Sequence, residues 1–160
     1  MGELGTLGIY PFKIEIAEYK DASELSELEC QCYDTKSEKY AFWMWTLAIR
    51  YHYALKAVLD GKIVGGMVAT PTNDERIYLD TLVVSDEHRG KGIASVLFEQ
   101  MLSKVSHKKL VALIWIGNEK PKHLLEKYGF KEINRLDNLF QSGKNYIEYE
   151  SKSNEELRKK

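Results

Sequence analysis

The sequence predicts a mixed α/β fold in which a mostly antiparallel sheet is flanked by helices. The chain has 160 residues, of which 44% are hydrophobic and 29% charged, and this fits one soluble globular domain over 1–150. Two strand-like segments flank the turn pair Asp60-Gly61, which is typical of a β-hairpin. The predicted order β-α-α-β-β-β-α-β-α-β-β lacks the strict alternation of a doubly wound parallel sheet.

Apolar spacing and turn signals define each element. Phe12, Ile14 and Ile16 alternate with polar residues and predict the first strand. Gly65 and Gly66 lie inside a strand and predict a bulge or the close approach of another backbone. The predicted elements are a strand over 12–19, a helix capped by Asp21 or Ser23, a polar break over 34–39, a helix over 40–51, strands over 53–60, 62–70 and 76–84, a helix over 90–105, a strand over 109–116, a helix over 119–128, strands over 130–136 and 145–149, and a charged tail over 151–160.

Composition and charge exclude several function classes. The formal net charge is -1, which argues against a protein held to nucleic acid or to a membrane by bulk charge. The longest apolar stretch, 41–59, is broken by Arg50, His52 and Lys56, so it is not expected to span a bilayer. The first ten residues lack the basic and apolar regions of a signal peptide. We therefore expect a cytoplasmic protein without nucleic-acid or membrane partners.

The two cysteines are expected to be reduced thiols. Cys30 and Cys32 are two positions apart on a predicted helix, where their side chains point to different sides. No second pair of Cys or His residues has metal-ligand spacing, so we expect no metal site.

The most informative stretch is Leu82 to Ser95, in which an apolar strand leads through a polar turn into an amphipathic helix. Gly90 and Gly92 flank Lys91 and allow the backbone to approach a ligand closely. The N-terminus of the following helix attracts negative charge. This segment therefore predicts a cradle for phosphate or pyrophosphate. The alternative is an ordinary strand-to-helix connection in which the glycines only permit the turn.

Two nucleotide-binding patterns fit this stretch poorly. A phosphate-binding loop requires G-x-x-x-x-G-K-[ST], but Lys91 precedes the second glycine. A dinucleotide fingerprint requires a third glycine where Ser95 stands. A nucleotide-binding regulator, which would bind NAD or ATP, remains an alternative.

The wider layout resembles the GNAT superfamily of N-acetyltransferases. The run Arg89-Gly90-Lys91-Gly92-Ile93-Ala94 resembles the acyl-CoA signature [QR]-x-x-G-x-[GA] of that family. Downstream, Asn118 and the run Leu124 to Phe130 resemble its second motif. The resemblance covers about Phe12 to Tyr149.

The resemblance implies a fold, a cosubstrate and a reaction. Family members bind acetyl-CoA in a V-shaped gap where the fourth and fifth strands splay apart, and an amine attacks the thioester directly, without an acyl-enzyme. Neither cysteine lies near either motif in the sequence, and no metal is implied. The residues implied to bind the cofactor are Leu82, Val83, Val84, Arg89, Gly90, Lys91, Gly92, Ile93, Ala94, Ser95 and Asn118.

At the catalytic positions the sequence departs from the family pattern. Many members place a Glu base on the fourth strand where this chain has Tyr78, so Asp80, two residues further on, is the candidate base. The usual Tyr acid is replaced by Leu125, and Tyr128, one turn later, is the candidate acid. Both residues also have structural interpretations, Asp80 as a solvated strand residue and Tyr128 as a core aromatic.

The acceptor amine has no signature in the sequence. The run Phe140 to Tyr146 is loosely similar to the C-terminal hairpin of protein N-terminal acetyltransferases, which makes a peptide α-amine one expected acceptor. A small polyamine or aminoglycoside-like amine is the other. The alternative of another class is a non-catalytic acyl-CoA-binding sensor module. Dimers are common in the family, so a homodimer is also expected. The aromatic residues of the second helix are expected to pack in the core, and the alternative is an apolar or cation-binding wall for the acceptor. The four histidines are expected to lie on the surface or to pack locally.

Overall fold

The structure is a computed structural model that describes residues 10–33, 38–139, 141 and 143–152. The chain forms two compact units, Met1–Thr70 with Asp80–Lys104 and Pro71–Leu79 with Val105–Lys160. Parts of three predicted segments lie outside the described residues: the polar break, the C-terminal tail and the run from Phe140 to Tyr146.

The predicted order of helices and strands is confirmed. The seven strands of the described residues form one sheet in the order β1-β2-β3-β4-β5-β7-β6, in which β4 and β5 are parallel and the other recorded pairs are antiparallel. The recorded register of β4 and β5 has two pairs, Ile77–Leu110 and Tyr78–Val111. The elements are β1 (Lys13–Ile16), α1 (Ala22–Tyr33), α2 (Glu38–Tyr51), β2 (Tyr53–Leu59), β3 (Lys62–Pro71), β4 (Ile77–Val84), α3 (Ile93–Val105), β5 (Leu110–Trp115), α4 (Glu119–Lys127), β6 (Lys131–Leu136) and β7 (Tyr146–Glu150).

Two boundaries differ from the sequence prediction for a clear reason. The helix expected from Gly90 begins at Ile93, because Gly90 and Gly92 have φ values of +76° and +81°, which a right-handed helix excludes. The first strand ends at Ile16, whose side chain is 57% exposed although Phe12 and Ile14 are buried. The strand ends there because the chain turns into a short 3-10 helix at Tyr19.

The core of the first unit lies between the α1–α2 pair and the sheet. Leu25 of α1 and Trp45 of α2 are fully buried and pack in one cluster with Val68 of β3. A Cβ atom on Gly66 would lie 2.7 Å from Leu25 Cδ2 and 2.8 Å from Trp45 Cη2. Glycine at this position therefore leaves room for the side chains of Leu25 and Trp45 against β3.

A buried ion pair ties β2 to the start of α1. Lys56 Nζ lies 2.7 Å from Asp21 Oδ2, and both residues are only 6% exposed. The same oxygen accepts a hydrogen bond of 2.7 Å from the backbone N–H of Glu18. The carboxylate is thus paired and hydrogen-bonded, which offsets the cost of removing it from water.

A bulge interrupts the pairing of β2 with β3. The register of β2 and β3 shifts between Ala57 and Val58, opposite the two glycines of β3, which confirms the predicted bulge.

The second unit packs α4 onto its own strands. Leu125, Phe130 and Tyr149 are buried, and the Tyr149 hydroxyl donates to Glu132 Oε1 over 3.3 Å. Burial raises the pKa of Tyr149 to about 12, and the neighbouring Glu132 carboxylate adds to the shift. This tyrosine is therefore a structural donor.

No described helix is both long enough and apolar enough to cross a membrane.

Candidate functional site

The glycine turn, residues 89–92, connects β4 and a single 3-10 turn to α3. A Cβ atom on Gly90 or Gly92 would meet no atom within 4 Å, so both glycines serve the backbone conformation and border open space. The bond from the Val96 N–H to Gly92 O, 3.1 Å long, is an early bond of the helix. The N–H groups at 93–95 come before it and belong to the turn that has no intrahelical acceptors. The predicted anion cradle would use these N–H groups as its donors, and it stays a prediction.

Two cationic side chains, Arg89 and Lys91, belong to this turn. Lys91 is exposed, and the Arg89 guanidinium lies 2.8 Å from Asp86 Oδ1 in an exposed ion pair. Arg89 also neighbours the thiol of Cys32. A surface pair of this kind is weak and can be exchanged for a pair with a phosphate.

The end of β4 presents two backbone carbonyls to α1. The Ser85 N–H donates to Val64 O over 2.8 Å, so by strand alternation the carbonyls of Leu82 and Val84 point away from β3. Tyr33 Oη donates to Leu82 O over 2.9 Å, and Cys32 Sγ to Val84 O over 3.3 Å. On this edge of β4, side chains of α1 thus bind two carbonyls of the predicted pantetheine strand.

The sequence places neither cysteine near the motifs, but in the folded chain Cys32 lies beside the end of β4 and Arg89. Cys32 is 52 residues before Val84 in sequence, but the fold of α1 brings its thiol to the end of β4. Burial raises the pKa of this thiol, more than its contact with Arg89 lowers it. The protonated form is favoured, which makes Cys32 a poor nucleophile.

The candidate base Asp80 lies in a small polar cluster. Its carboxylate neighbours the Thr70 hydroxyl and the His52 imidazole. Thr70 Oγ1 is 3.3 Å from His52 Nδ1. Desolvation by neighbouring groups raises the pKa of Asp80, although His52 and Thr70 lower it in part. Sequence reasoning assigned His52 to packing or surface, and no local signal marks its place beside Asp80.

A second carboxyl group, which the sequence did not single out, lies nearby on α1. Glu29 Oε2 accepts a bond of 2.8 Å from Trp45 Nε1, and Glu29 Oε1 accepts one of 3.1 Å from Thr81 Oγ1. Burial raises the pKa of Glu29, and the charge of Asp80 raises it further. The sequence indicates the burial of Glu29 only through its position, one turn after Leu25 on the apolar stripe of α1.

The remaining predicted site residues belong to the second unit. Tyr128 caps the end of α4 and is half-buried, with Lys127 Nζ 5.5 Å from its ring centroid. Asn118 precedes α4 and lines a pocket with Trp115 and Glu132. Leu125 is buried in the core, so the position of the usual family acid serves packing here. The roles of Tyr128 and Asn118 stay predictions.

The aromatic residues of α2 divide into two groups. Trp45 is in the core, as expected, whereas Phe42, Trp43 and Tyr51 are 45%, 58% and 69% exposed. The helix therefore presents rings outward as well as inward.

Solved structures share this fold at low sequence identity. A GNAT-family acetyltransferase from Bacillus cereus ATCC 10987 is 19% identical, with a TM-score of 0.77 over 91% of this chain and 99% of that chain. The ribosomal-protein-S18-alanine N-acetyltransferase of Escherichia coli is 16% identical, with a TM-score of 0.76 over 88% and 92%. The yncA protein of Salmonella typhimurium, solved with acetyl-CoA, is 14% identical, with a TM-score of 0.74 over 91% and 95%.

Among curated protein sequences, none matches this chain. The sequence profile of the Acetyltransferase (GNAT) family matches residues 19–130, which is more than half of the chain and includes β4, the glycine turn and α4. With this match, the expected fold and the glycine turn in place, the chain belongs to the GNAT acetyltransferase family.

Proposed function

We propose that this protein transfers an acetyl group from acetyl-CoA to a primary amine, by direct attack of the amine in a ternary complex. The observation that carries the proposal is the pairing of the glycine turn with the outward carbonyls of Leu82 and Val84. An acyl-CoA needs both features, since it has a pyrophosphate and an arm with amide N–H groups. The solved relative with acetyl-CoA supports this cosubstrate.

The first unit offers donors and cations suited to the pyrophosphate of acetyl-CoA, and carbonyl acceptors suited to its pantetheine amides. Backbone N–H groups at 93–95 and the cations Arg89 and Lys91 would hold the pyrophosphate. The carbonyls of Leu82 and Val84 would accept bonds from the pantetheine amides in exchange for the bonds that they now accept from Tyr33 and Cys32. Acetyl-CoA supplies the activated acyl group as a thioester. Asn118 is proposed, on the family resemblance, as a further contact.

Asp80 is proposed as the base that makes the amine reactive. An amine attacks only with a free lone pair, and an α-amino group near pKa 7.7–8.0 needs far less help than a lysine-like amine near 10.4. The Asp80 carboxylate would take one proton from the attacking nitrogen as the new C–N bond forms and the C–S bond breaks. Its raised pKa brings its basicity closer to that of the amine. Because Asp80 is exposed, the proton can pass on to water.

The thiolate that leaves requires one proton, and Tyr128 is proposed as its source. A thiol with a pKa near 8.5 is a good leaving group even without an acid. Replacing the usual tyrosine by the buried Leu125 therefore does not prevent the reaction. We expect removal of the Tyr128 hydroxyl to have a smaller effect than removal of the Asp80 carboxylate.

A peptide α-amine is the proposed acceptor. One relative is named for acetylating the alanine of ribosomal protein S18, and an α-amine suits a base of modest strength. Rings exposed on α2, such as Trp43, offer apolar surface for the first side chains of a peptide.

The test is amine-dependent release of CoA from acetyl-CoA. The panel holds peptides with a free N-terminus, the same peptides with a blocked N-terminus, and small polyamines. We expect release with the free peptides, a drop of at least about 100-fold in kcat for Asp80→Asn, and unchanged release for Asp60→Asn, whose carboxylate lies in the exposed β2–β3 turn. Binding of acetyl-CoA without release on any amine would instead support the sensor module.

A further inference from the structure

The end of α1 places a hydroxyl group against the edge of β4 that faces away from β3. Tyr33 is the last residue of α1, and its Oη donates to Leu82 O over 2.9 Å. One turn earlier, Glu29 accepts a bond of 3.1 Å from Thr81 Oγ1 on β4 and one of 2.8 Å from Trp45 Nε1 on α2. These bonds fix the last turn of α1 over this part of β4, so the fold sets the position of the Tyr33 hydroxyl.

The direction of the cosubstrate along β4 follows from the two ends of its proposed site. The pyrophosphate would lie on the glycine turn, which follows the C-terminal end of β4. An arm that starts there and runs back along the strand meets the carbonyl of Val84 before that of Leu82. The second amide of the arm is then the one that pairs with Leu82. In the covalent structure of CoA, two carbon atoms separate the nitrogen of this amide from the sulfur.

This amide and the Tyr33 hydroxyl bind the same oxygen in turn. When the N–H of the arm takes Leu82 O, the hydroxyl is released beside the part of the arm that carries the sulfur. A neutral sulfur is a weak acceptor, so the hydroxyl gains little from it before the reaction. A thiolate is charged, and hydrogen bonds to charged acceptors are about twice as strong as those between neutral groups.

We propose that Tyr33 is a further catalytic residue, whose hydroxyl donates a hydrogen bond to the sulfur of CoA as the C–S bond breaks. The role rests on the proposed function. The electron pair of the C–S bond goes to sulfur, and the O–H bond of Tyr33 stays intact while it stabilises the new charge. The proton that neutralises the thiolate is still supplied by Tyr128, the proposed proton source. Burial raises the pKa of Tyr33, which keeps its hydroxyl protonated and able to donate.

The neighbouring donor Cys32 does not fit this role. Its Sγ donates to Val84 O over 3.3 Å, at the carbonyl that the arm meets first, so it lies one amide farther from the sulfur. A thiol is also a weak donor. The position of the usual family acid offers no donor either, because it is taken by Leu125, which is buried in the core of the second unit. Tyr33 therefore supplies a donor where the chain departs from the family pattern.

The test follows the ionisation of the CoA thiol while CoA is bound to the protein. CoA labelled with 13C at the carbon next to sulfur reports this ionisation by NMR. Tyr33→Phe removes only the hydroxyl. Because a hydrogen bond to the thiolate lowers the pKa of the thiol, we expect Tyr33→Phe to raise the pKa of bound CoA by about one pH unit or more.

The control is Tyr19→Phe, which removes the hydroxyl of another exposed tyrosine of the first unit and should leave the pKa of bound CoA unchanged. Charged groups near the end of α1, Glu29 and Arg89, are present in the parent and in both variants. Their charge therefore cannot cause a difference between the samples.

Turnover gives a second readout. With an amine that is acetylated, Tyr33→Phe should lower kcat by about 10- to 100-fold, while KM for acetyl-CoA stays equal or falls. A residue that only supports the fold would instead lower the melting temperature or raise KM. The split between kcat and KM thus separates a donor to the leaving sulfur from a structural side chain.

An unchanged pKa of bound CoA in Tyr33→Phe would overturn the proposal, and so would an unchanged kcat where turnover is observed. Either result leaves the proposed function standing, because CoA is still bound. The NMR readout needs no turnover, so it decides the role of Tyr33 even if no amine in the panel is acetylated. If the parent protein binds no CoA, the proposed function fails and the role of Tyr33 fails with it.

Discussion

The hydroxyl of Tyr33 donates a 2.9 Å hydrogen bond to the backbone carbonyl of Leu82, across 49 residues of sequence. Under the proposed function, the same carbonyl accepts a bond from the pantetheine arm. The end of α1 therefore competes with the cosubstrate for one acceptor of β4.

Tyr33→Phe should tighten binding of acetyl-CoA by about two- to tenfold, because a net hydrogen bond of about 0.5–1.5 kcal/mol no longer has to be exchanged. Calorimetric titration measures this, with Tyr19→Phe, another exposed tyrosine of the first unit, as the control. Weaker binding in Tyr33→Phe would mean that the hydroxyl contacts the cosubstrate instead.

Gly92→Ala should weaken acetyl-CoA binding as well as stability. The φ of +81° costs a non-glycine residue about 1–2 kcal/mol, and relief of that strain would displace the N–H groups of the cradle. Gly61→Ala is a close control, since Gly61 has a φ of +75° in the β2–β3 turn and an added Cβ there also meets nothing within 4 Å. Both variants should lose similar stability, but only Gly92→Ala should lose affinity. Equal affinities would argue against the cradle.

Lys56→Met should destabilise the fold by about 3–5 kcal/mol, because it leaves the buried Asp21 carboxylate without its partner. The double variant Lys56→Met/Asp21→Asn removes both charges and should recover part of the loss. Urea unfolding curves provide the comparison. A loss below about 1 kcal/mol in the single variant would show that the pair behaves as a surface ion pair.

Glu29→Gln should stabilise the protein at neutral and alkaline pH. Burial raises the pKa of Glu29 in the folded state, so folding favours the protonated form, and stability falls as pH rises from the unfolded pKa through the folded one. Glutamine cannot ionise and avoids that loss. The melting temperature of the variant should exceed that of the parent at neutral and alkaline pH and converge with it near the ordinary glutamate pKa of about 4.3. A difference that does not depend on pH would assign the effect to packing.

Most of the fold could be predicted because its signals are local. The Asp60-Gly61 turn, the two glycines of β3 and the glycine turn each specify backbone geometry where they stand. The surroundings of Asp80 could not be predicted, since His52, Thr70 and Glu29 reach it from three other segments of the chain. Cys32 shows the same limit, because its contact with Val84 depends on how α1 lies over the sheet. Spacing along one sequence reports faces and turns, but not which distant side chains share a site.

The most direct test of the account is whether the protein binds acetyl-CoA in preference to other phosphate ligands. Thermal unfolding with acetyl-CoA, CoA, NAD and ATP at equal concentration measures this. At about 100 times its Kd, a ligand stabilises the folded state by about 2.7 kcal/mol, a rise of several degrees for a chain of this size. We predict that rise with acetyl-CoA and CoA and no rise with NAD or ATP. No stabilisation by acetyl-CoA at millimolar concentration, or equal stabilisation by NAD or ATP, would contradict the assignment of residues 89–95 as an acyl-CoA cradle.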